Sequence, residues 1–279
     1  PLARPMTPQS LNSDELGSNA MLLQDKVILI TGSTTGVGEA IARRSVAAGA
    51  RVMIHGLEEE LAKQVCHDLG DAASYVIADL SDVSACERLI EATVQRFGAI
   101  HGLVNNAANL GRSNLDTTTP DFFDKMMAVN VRAPLFLIQA AMPHFRAQGG
   151  GVVLNIGSIN ALSGEPNLLA YSVAKGGLQT LTRNLANAHG VEKVRINQLN
   201  LSWVTTPNEI ALKIREGLPP GWENNVPTVY APFGKLFTPE QVANHAVFWL
   251  SDASYPANGV VFVLDQSSPY GRNPQKDFS

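Results

Sequence analysis

Cysteine is almost absent: Cys66 and Cys86 are all that the 279 residues contain, in neither a metal-binding nor a redox spacing. That excludes a disulfide framework and fits a reducing compartment, so a cytoplasmic setting is expected. Long apolar runs are missing as well. Segments 27–30 and 259–264 are of strand length, far short of the ~20 residues that a membrane span needs. Basic charge is not in excess; the formal net charge is −4, which excludes an electrostatic footprint for nucleic acid. No internal repeat and no Pro/Gly linker divides the chain. Residues 1–20 carry three prolines and no signal-like apolar stretch, and read as a flexible extension. Residues 266–279, rich in Pro, Ser and Gly, read as a tail.

What is present is a 45% apolar composition, enough for a sizeable core, and a regular alternation. Strand-length apolar runs at 26–31, 51–55, 74–78, 101–105, 151–156, 194–199 and 260–264 alternate with helix-length segments at 38–48, 58–69, 82–97, 131–148, 171–188 and 239–250. Residues 207–238 are less regular. The alternation implies an α/β fold: a doubly wound, mostly parallel seven-stranded sheet of Rossmann type with helices on both faces, in a single domain over 21–265. Such sheets bind ligands beyond the carboxyl ends of their strands. The unusual residues fall there: a glycine loop after the first strand, Asp79 after the third, Asn105-Asn106 after the fourth, Ser158 after the fifth, and 200–207 after the sixth.

The loop Thr31-Gly32-Ser33-Thr34-Thr35-Gly36-Val37-Gly38 joins a buried strand to a helix. Gly32 permits the tight turn, Gly36 the approach of a pyrophosphate, and Gly38 close helix–strand packing; the helix N-terminus then presents free N–H groups to phosphates. The loop lacks the Gly-Lys-Ser/Thr ending of ATPase phosphate loops, since Glu39 follows Gly38. Asp79 is placed either to accept from an adenine amino group or to cap the helix that follows it.

Tyr171 and Lys175 stand four residues apart, on one face of the expected helix. A phenol ionises near pH ~10, and a neighbouring ammonium lowers that value, so the spacing points to an acid/base that works near neutrality.

With Thr31–Gly38, Asp79-Leu80, Asn105-Asn106-Ala107-Ala108, Asn130, Ser158, Tyr171 and Lys175 in this order and spacing, the chain resembles the short-chain dehydrogenase/reductases of about 250 residues over nearly its whole length. The resemblance implies reversible hydride transfer between NAD or NADP and a secondary alcohol or ketone. It makes Tyr171 the general acid/base and Lys175 the group that lowers its pKa and holds the nicotinamide ribose. Ser158 then donates to the substrate oxygen, and Asn130 positions a water leading from Lys175 to solvent. It implies cofactor contacts from Gly32, Ser33, Thr34, Thr35, Gly36, Val37, Gly38, His55, Leu57, Asp79, Leu80, Asn106, Ala107, Ala108, Val204 and Thr206. It further implies a homo-oligomer, dimer or tetramer, built on helices 131–148 and 171–188.

The chain departs from the family pattern at Ala108 (usually Gly), at Leu201-Ser202 (usually Pro-Gly) and at Asp265-Gln266-Ser267 (usually Asp-Gly-Gly). After the second strand, Gly56 and Leu57 replace the residues that choose between NAD and NADP. With no base there or in the glycine loop, NAD is favoured. Asn109, Asn160, Glu165 and Trp203 are candidate pocket residues, under a substrate loop at about 206–238. Their polarity suits a polyol, sugar or hydroxy-acid derivative. No metal site is expected. The rival reading is a nucleotide sensor on the same scaffold that binds without chemistry; such a protein would be expected to lose Tyr171 or Lys175, and both are present.

Overall fold

In a computed structural model, residues 21–267 are described. The extension at 1–20 and residues 268–279 of the expected tail lie outside them. Seven parallel strands form one sheet in the order β3-β2-β1-β4-β5-β6-β7. They are β1 Val27–Ile30, β2 Arg51–Gly56, β3 Ala73–Ile77, β4 Gly102–Asn105, β5 Gly151–Ser158, β6 Val194–Leu201 and β7 Val261–Leu264. The helices are α1 Gly36–Ala47, α2 Glu59–Leu69, α3 Val83–Phe97, α4 Pro120–Met127, α5 Ala133–Ala147, α6 Leu169–His189, α7 Pro207–Arg215 and α8 Pro239–Leu250.

Side chains alternate across a strand, so each strand feeds two cores. Ile28 and Ile30 pack with Ile41 of α1, Ala62 of α2 and Val247 of α8 on one face. Val27 and Leu29 pack with Leu89 of α3 and Leu137 of α5 on the other. The order reverses between β1 and β4, and the site opens beyond the carboxyl ends of these two strands.

Two helices were not expected. Helix α4 starts at Thr119-Pro120, where the Thr119 hydroxyl accepts from the Phe122 N–H. It runs into a π-helical turn, Ala128–Arg132, and then α5. Pro134 lacks the N–H that an α-helix would aim at the Asn130 carbonyl, which accounts for the widened turn. Helix α7 lies inside the stretch read as irregular; none of its residues is fully buried, and Ile210 packs against the small cluster of Trp222, Val226, Ala231 and Leu236. The Leu201-Ser202 departure lengthens β6. Leu201 pairs with Ser158 and Leu264 and is 9% exposed, and the Ser202 N–H donates to the Leu264 carbonyl.

Candidate active site

The glycine loop is shaped by contacts that tolerate no side chain. A Cβ on Gly38 would lie 2.1 Å from the Gly32 carbonyl oxygen, and one on Gly32 would lie 2.8 Å from the Ala107 Cα. Gly36 has φ +60° and faces the cleft, where a Cβ would meet only the Thr206 side chain at 3.3 Å. The Thr31 hydroxyl accepts from the N–H groups of Asn106 and Ala107, both at 3.0 Å. Asn106 Nδ2 donates back to the carbonyls of Thr31 and Gly32. The β1 and β4 loops therefore form one floor.

That floor belongs to a cleft of about 1430 Å³. Of the residues expected at the cofactor, Gly32, Thr34, Thr35, Gly36, Val37, His55, Leu57, Asp79, Leu80, Asn106, Ala107, Ala108, Tyr171, Lys175, Val204 and Thr206 line it. Ser33 and Gly38 do not. The Ser33 hydroxyl is turned inward, donating to the Ile30 carbonyl at 2.6 Å and accepting from the His55 N–H at 3.1 Å, so it braces the loop from behind. His55 lines the cleft but has both ring nitrogens engaged by the backbone. Its Nδ1 accepts from the Gly32 N–H at 3.1 Å and its Nε2 lies 3.0 Å from the Ala78 carbonyl, which fixes the neutral Nε2–H tautomer. Burial lowers its pKa, in keeping with a neutral ring. Asp79 Oδ1 accepts from the Ser81 N–H at 2.8 Å; the cap of α3 is Asp82, which accepts from Ser84.

Beside this floor, β5 brings Ser158 and α6 brings Tyr171 and Lys175 to the same cleft. Lys175 is 3% exposed and donates from Nζ to the Ile156 carbonyl at 2.8 Å, which leaves two of its three donors for a ligand. Its Nζ stands 5.6 Å from the centre of the Tyr171 ring. Burial brings the lysine down to about 8. The lowered phenol pKa expected from this pair is not found. Burial pushes Tyr171 up to about 12; a hydrogen bond with Ser158 acts the other way, and Glu209 adds to the rise. The phenol is thus a protonated acid at neutral pH. The Ser158 hydroxyl also accepts from the Asn160 N–H at 3.2 Å.

The Asn130 side chain is engaged with the loop after β4. Asn130 Oδ1 accepts from the Asn109 N–H at 2.7 Å, and its Nδ2 donates to the Asn109 carbonyl at 3.0 Å and to Met126 Sδ. It fixes the loop after β4. Asn109 Oδ1 is in turn used by the Gly111 N–H. Beneath the site, a chain of buried side chains links Asn105, Asn155, Thr182, Gln198, Asn200 and Gln179, and ties α6 to β4, β5 and β6. Gly157 makes room for it, since a Cβ there would lie 2.0 Å from Asn200 Oδ1.

Asn109, Asn160, Glu165 and Trp203 line the cleft. So do Arg112, Glu209 and Lys213, none of which was singled out in the sequence. Glu209 Oε1 accepts from Trp203 Nε1 at 2.9 Å and lies 3.9 Å from Arg112 Nη2. Arg112 Nε donates to Glu216 Oε1 at 2.5 Å, and Lys213 pairs with Glu216 at 2.8 Å. Trp203 stacks on Trp222 with 4.9 Å between ring centres. Among the described residues no cluster has metal-ligating composition, and no helix is long and apolar enough to cross a membrane.

A family model described as enoyl-(acyl carrier protein) reductase matches residues 31–266. A probable galactose dehydrogenase of Rhizobium meliloti is 34% identical over 70% of this chain and 77% of its own. The 2-(R)-hydroxypropyl-CoM dehydrogenase of Xanthobacter autotrophicus is 34% identical over 86% of this chain and 97% of its own. A 3-ketoacyl-(acyl-carrier-protein) reductase of Brucella melitensis, solved with NADH, superposes with a TM-score of 0.77 at 32% identity, covering 87% of this chain and 98% of that one. The chain belongs to the short-chain dehydrogenase/reductase family and is an NAD(P)-dependent oxidoreductase acting on CH–OH groups.

Proposed function

We propose that the protein interconverts a neutral, polyhydroxylated secondary alcohol and its ketone with NAD as coenzyme. The observation that carries this reading is the convergence of Ser158, Tyr171 and Lys175 on a cleft whose floor is the glycine loop. The residues fit a dinucleotide: Gly36 leaves room for a pyrophosphate, and the N-terminus of α1 faces it. When bound, nicotinamide supplies a hydride acceptor or donor at the reacting carbon. Tyr171 gives its proton to the carbonyl oxygen in reduction; in oxidation it must first lose that proton to solvent, and its phenolate then takes the hydroxyl proton. Ser158 donates to that same oxygen and stabilises the charge that grows there. Lys175 holds the ribose hydroxyls with its two remaining donors. Asn130 would position the water through which the proton passes from Lys175 to solvent.

NAD is preferred over NADP because neither the glycine loop nor 55–58 carries a lysine or arginine for a 2′-phosphate. Glu58 would repel one. The charge balance of the pocket selects the substrate. Arg112 and Lys213 are matched by Glu209 and Glu216, so this part of the wall offers paired charges, donors and acceptors that suit a sugar or polyol, as in the galactose dehydrogenase. The same reading carries a cytoplasmic homo-oligomer docked through α5 and α6, which sedimentation would reveal as a multiple of 29.9 kDa.

The test is Tyr171→Phe. Turnover of D-galactose with NAD, or of the best substrate in a polyol panel, should fall about 10²–10⁴-fold, while NADH binding by fluorescence stays within about twofold. Undiminished turnover sinks the mechanism. Tight NADH binding by the unaltered protein with no turnover of any alcohol or ketone would instead favour the sensor.

A further inference from the structure

We propose that Glu209 and Arg112 form the subsite that reads the hydroxyl groups flanking the reacting carbon. The proposal rests on the polyhydroxylated substrate argued above and names the groups that recognise it. Arg112 comes from the loop after β4 and Glu209 from α7, so the two approach the cleft that holds Ser158 and Tyr171 from different parts of the chain.

Glu209 sits at the third position of α7, three residues after Thr206. At that position a glutamate commonly turns back to the capping residue's N–H. Here the Thr206 N–H donates to the Val204 carbonyl instead, and the Glu209 carboxylate points to Trp203 and Arg112. Its side chain is 19% exposed, and both recorded contacts fall on Oε1. Oε2 is the acceptor open to a ligand. Arg112 uses Nε on Glu216, which leaves its terminal N–H groups to donate. An acceptor and a planar set of donors side by side match adjacent hydroxyls, each of which gives one hydrogen bond and takes another. The Trp203 ring, stacked on Trp222, fixed through its N–H by Glu209 and with Lys213 Nζ 5.6 Å from its centre, holds the Glu209 carboxylate in place. A second donor in the cluster, Trp222 Nε1–H, is buried without an acceptor in the described structure. A simple alcohol has nothing to offer these groups.

Glu209→Gln keeps the length of the side chain and an acceptor for Trp203 while removing the charge. With NAD saturating, kcat/KM for D-galactose and D-mannitol is to be compared with that for 2-butanol. The proposal expects the variant to lose about 10- to 100-fold more on the polyhydroxylated substrates than on 2-butanol, mainly in KM, with NADH affinity unchanged. Any change common to all substrates reports the effect of the Glu209 charge on Tyr171. Arg112→Gln should show the same selective loss. Equal losses on all substrates would reduce the pair to a structural clasp, and no loss on any would also overturn the subsite. Failure of the unaltered protein to prefer polyhydroxylated substrates over 2-butanol would overturn the substrate reading itself, and is seen before any variant is made.

Discussion

Helices α7 and α8 open with nearly the same words, Thr206-Pro207-Asn208-Glu209 and Thr238-Pro239-Glu240-Gln241, and do opposite work. In α8 the capping box closes: the Gln241 N–H donates to Thr238 Oγ1, and Gln241 Oε1 accepts from the Thr238 N–H. Six residues of the helix are then buried against the sheet. In α7 only the first half of the box forms, through the Glu209 N–H and Thr206 Oγ1 at 3.1 Å. The Glu209 side chain is released into the cleft, and no residue of the helix is buried. A start signal fixes where a helix begins; whether its third residue serves the helix or the ligand depends on what stands opposite.

The contrast is most sharply tested in stability. Leu250→Ala in α8 should cost about 2–5 kcal/mol in urea denaturation, because it empties space in a closed core. Ile214→Ala in α7 should stay within about 0.5 kcal/mol. A comparable cost for Ile214 would show that α7 is part of the cooperative core.

The pH dependence belongs to the rigid side as well. Lys175 titrates near 8 when folded against 10.5 as the ordinary value, so between these limits the unfolded chain holds a proton that the folded one has lost. Its contribution makes stability rise with pH from about 8 to 10.5, and the penalty for burying the charge is fully present below 8. Tyr171, raised from 10 to about 12, works in the opposite direction above pH 10. The urea midpoint of Lys175→Met, followed from pH 7 to 10, should lack the rise. An identical profile would remove the buried ammonium from the account.

The smallest effect separates the caps themselves. Thr238→Ala should lower global stability by about 1 kcal/mol and leave KM alone. Thr206→Ala should leave the denaturation midpoint nearly unchanged and raise KM for the alcohol, because it frays a helix that only the cleft uses. Reversed outcomes would exchange the assignments of the two helices.

Much of the sheet was legible because several of its strands carry short continuous apolar runs, as 27–30 and 152–154 illustrate. That Ser158, Tyr171 and Lys175 would meet at one cleft was legible through spacing. Two of the three Thr-Pro helix starts, at Thr119 and Thr206, carried the same signal as Thr238 and could have been read the same way. Side-chain direction was not legible. Whether Ser33 faces a phosphate or the Ile30 carbonyl, and whether His55 offers a free nitrogen, depends on strands brought together from distant sequence. The phenol's high pKa had the same origin: spacing located the ammonium but could not weigh it against burial.

One packing contact bears on the order in which this protein could change. A Cβ on Gly56 would lie 2.5 Å from Thr34 Cγ2 and 2.8 Å from its hydroxyl. An acidic side chain introduced at residue 56 therefore arrives against an occupied position, and the threonine must shrink first. At this edge of the cleft Gly56→Asp alone meets the Thr34 side chain, and Thr34→Gly is the change that makes room for it.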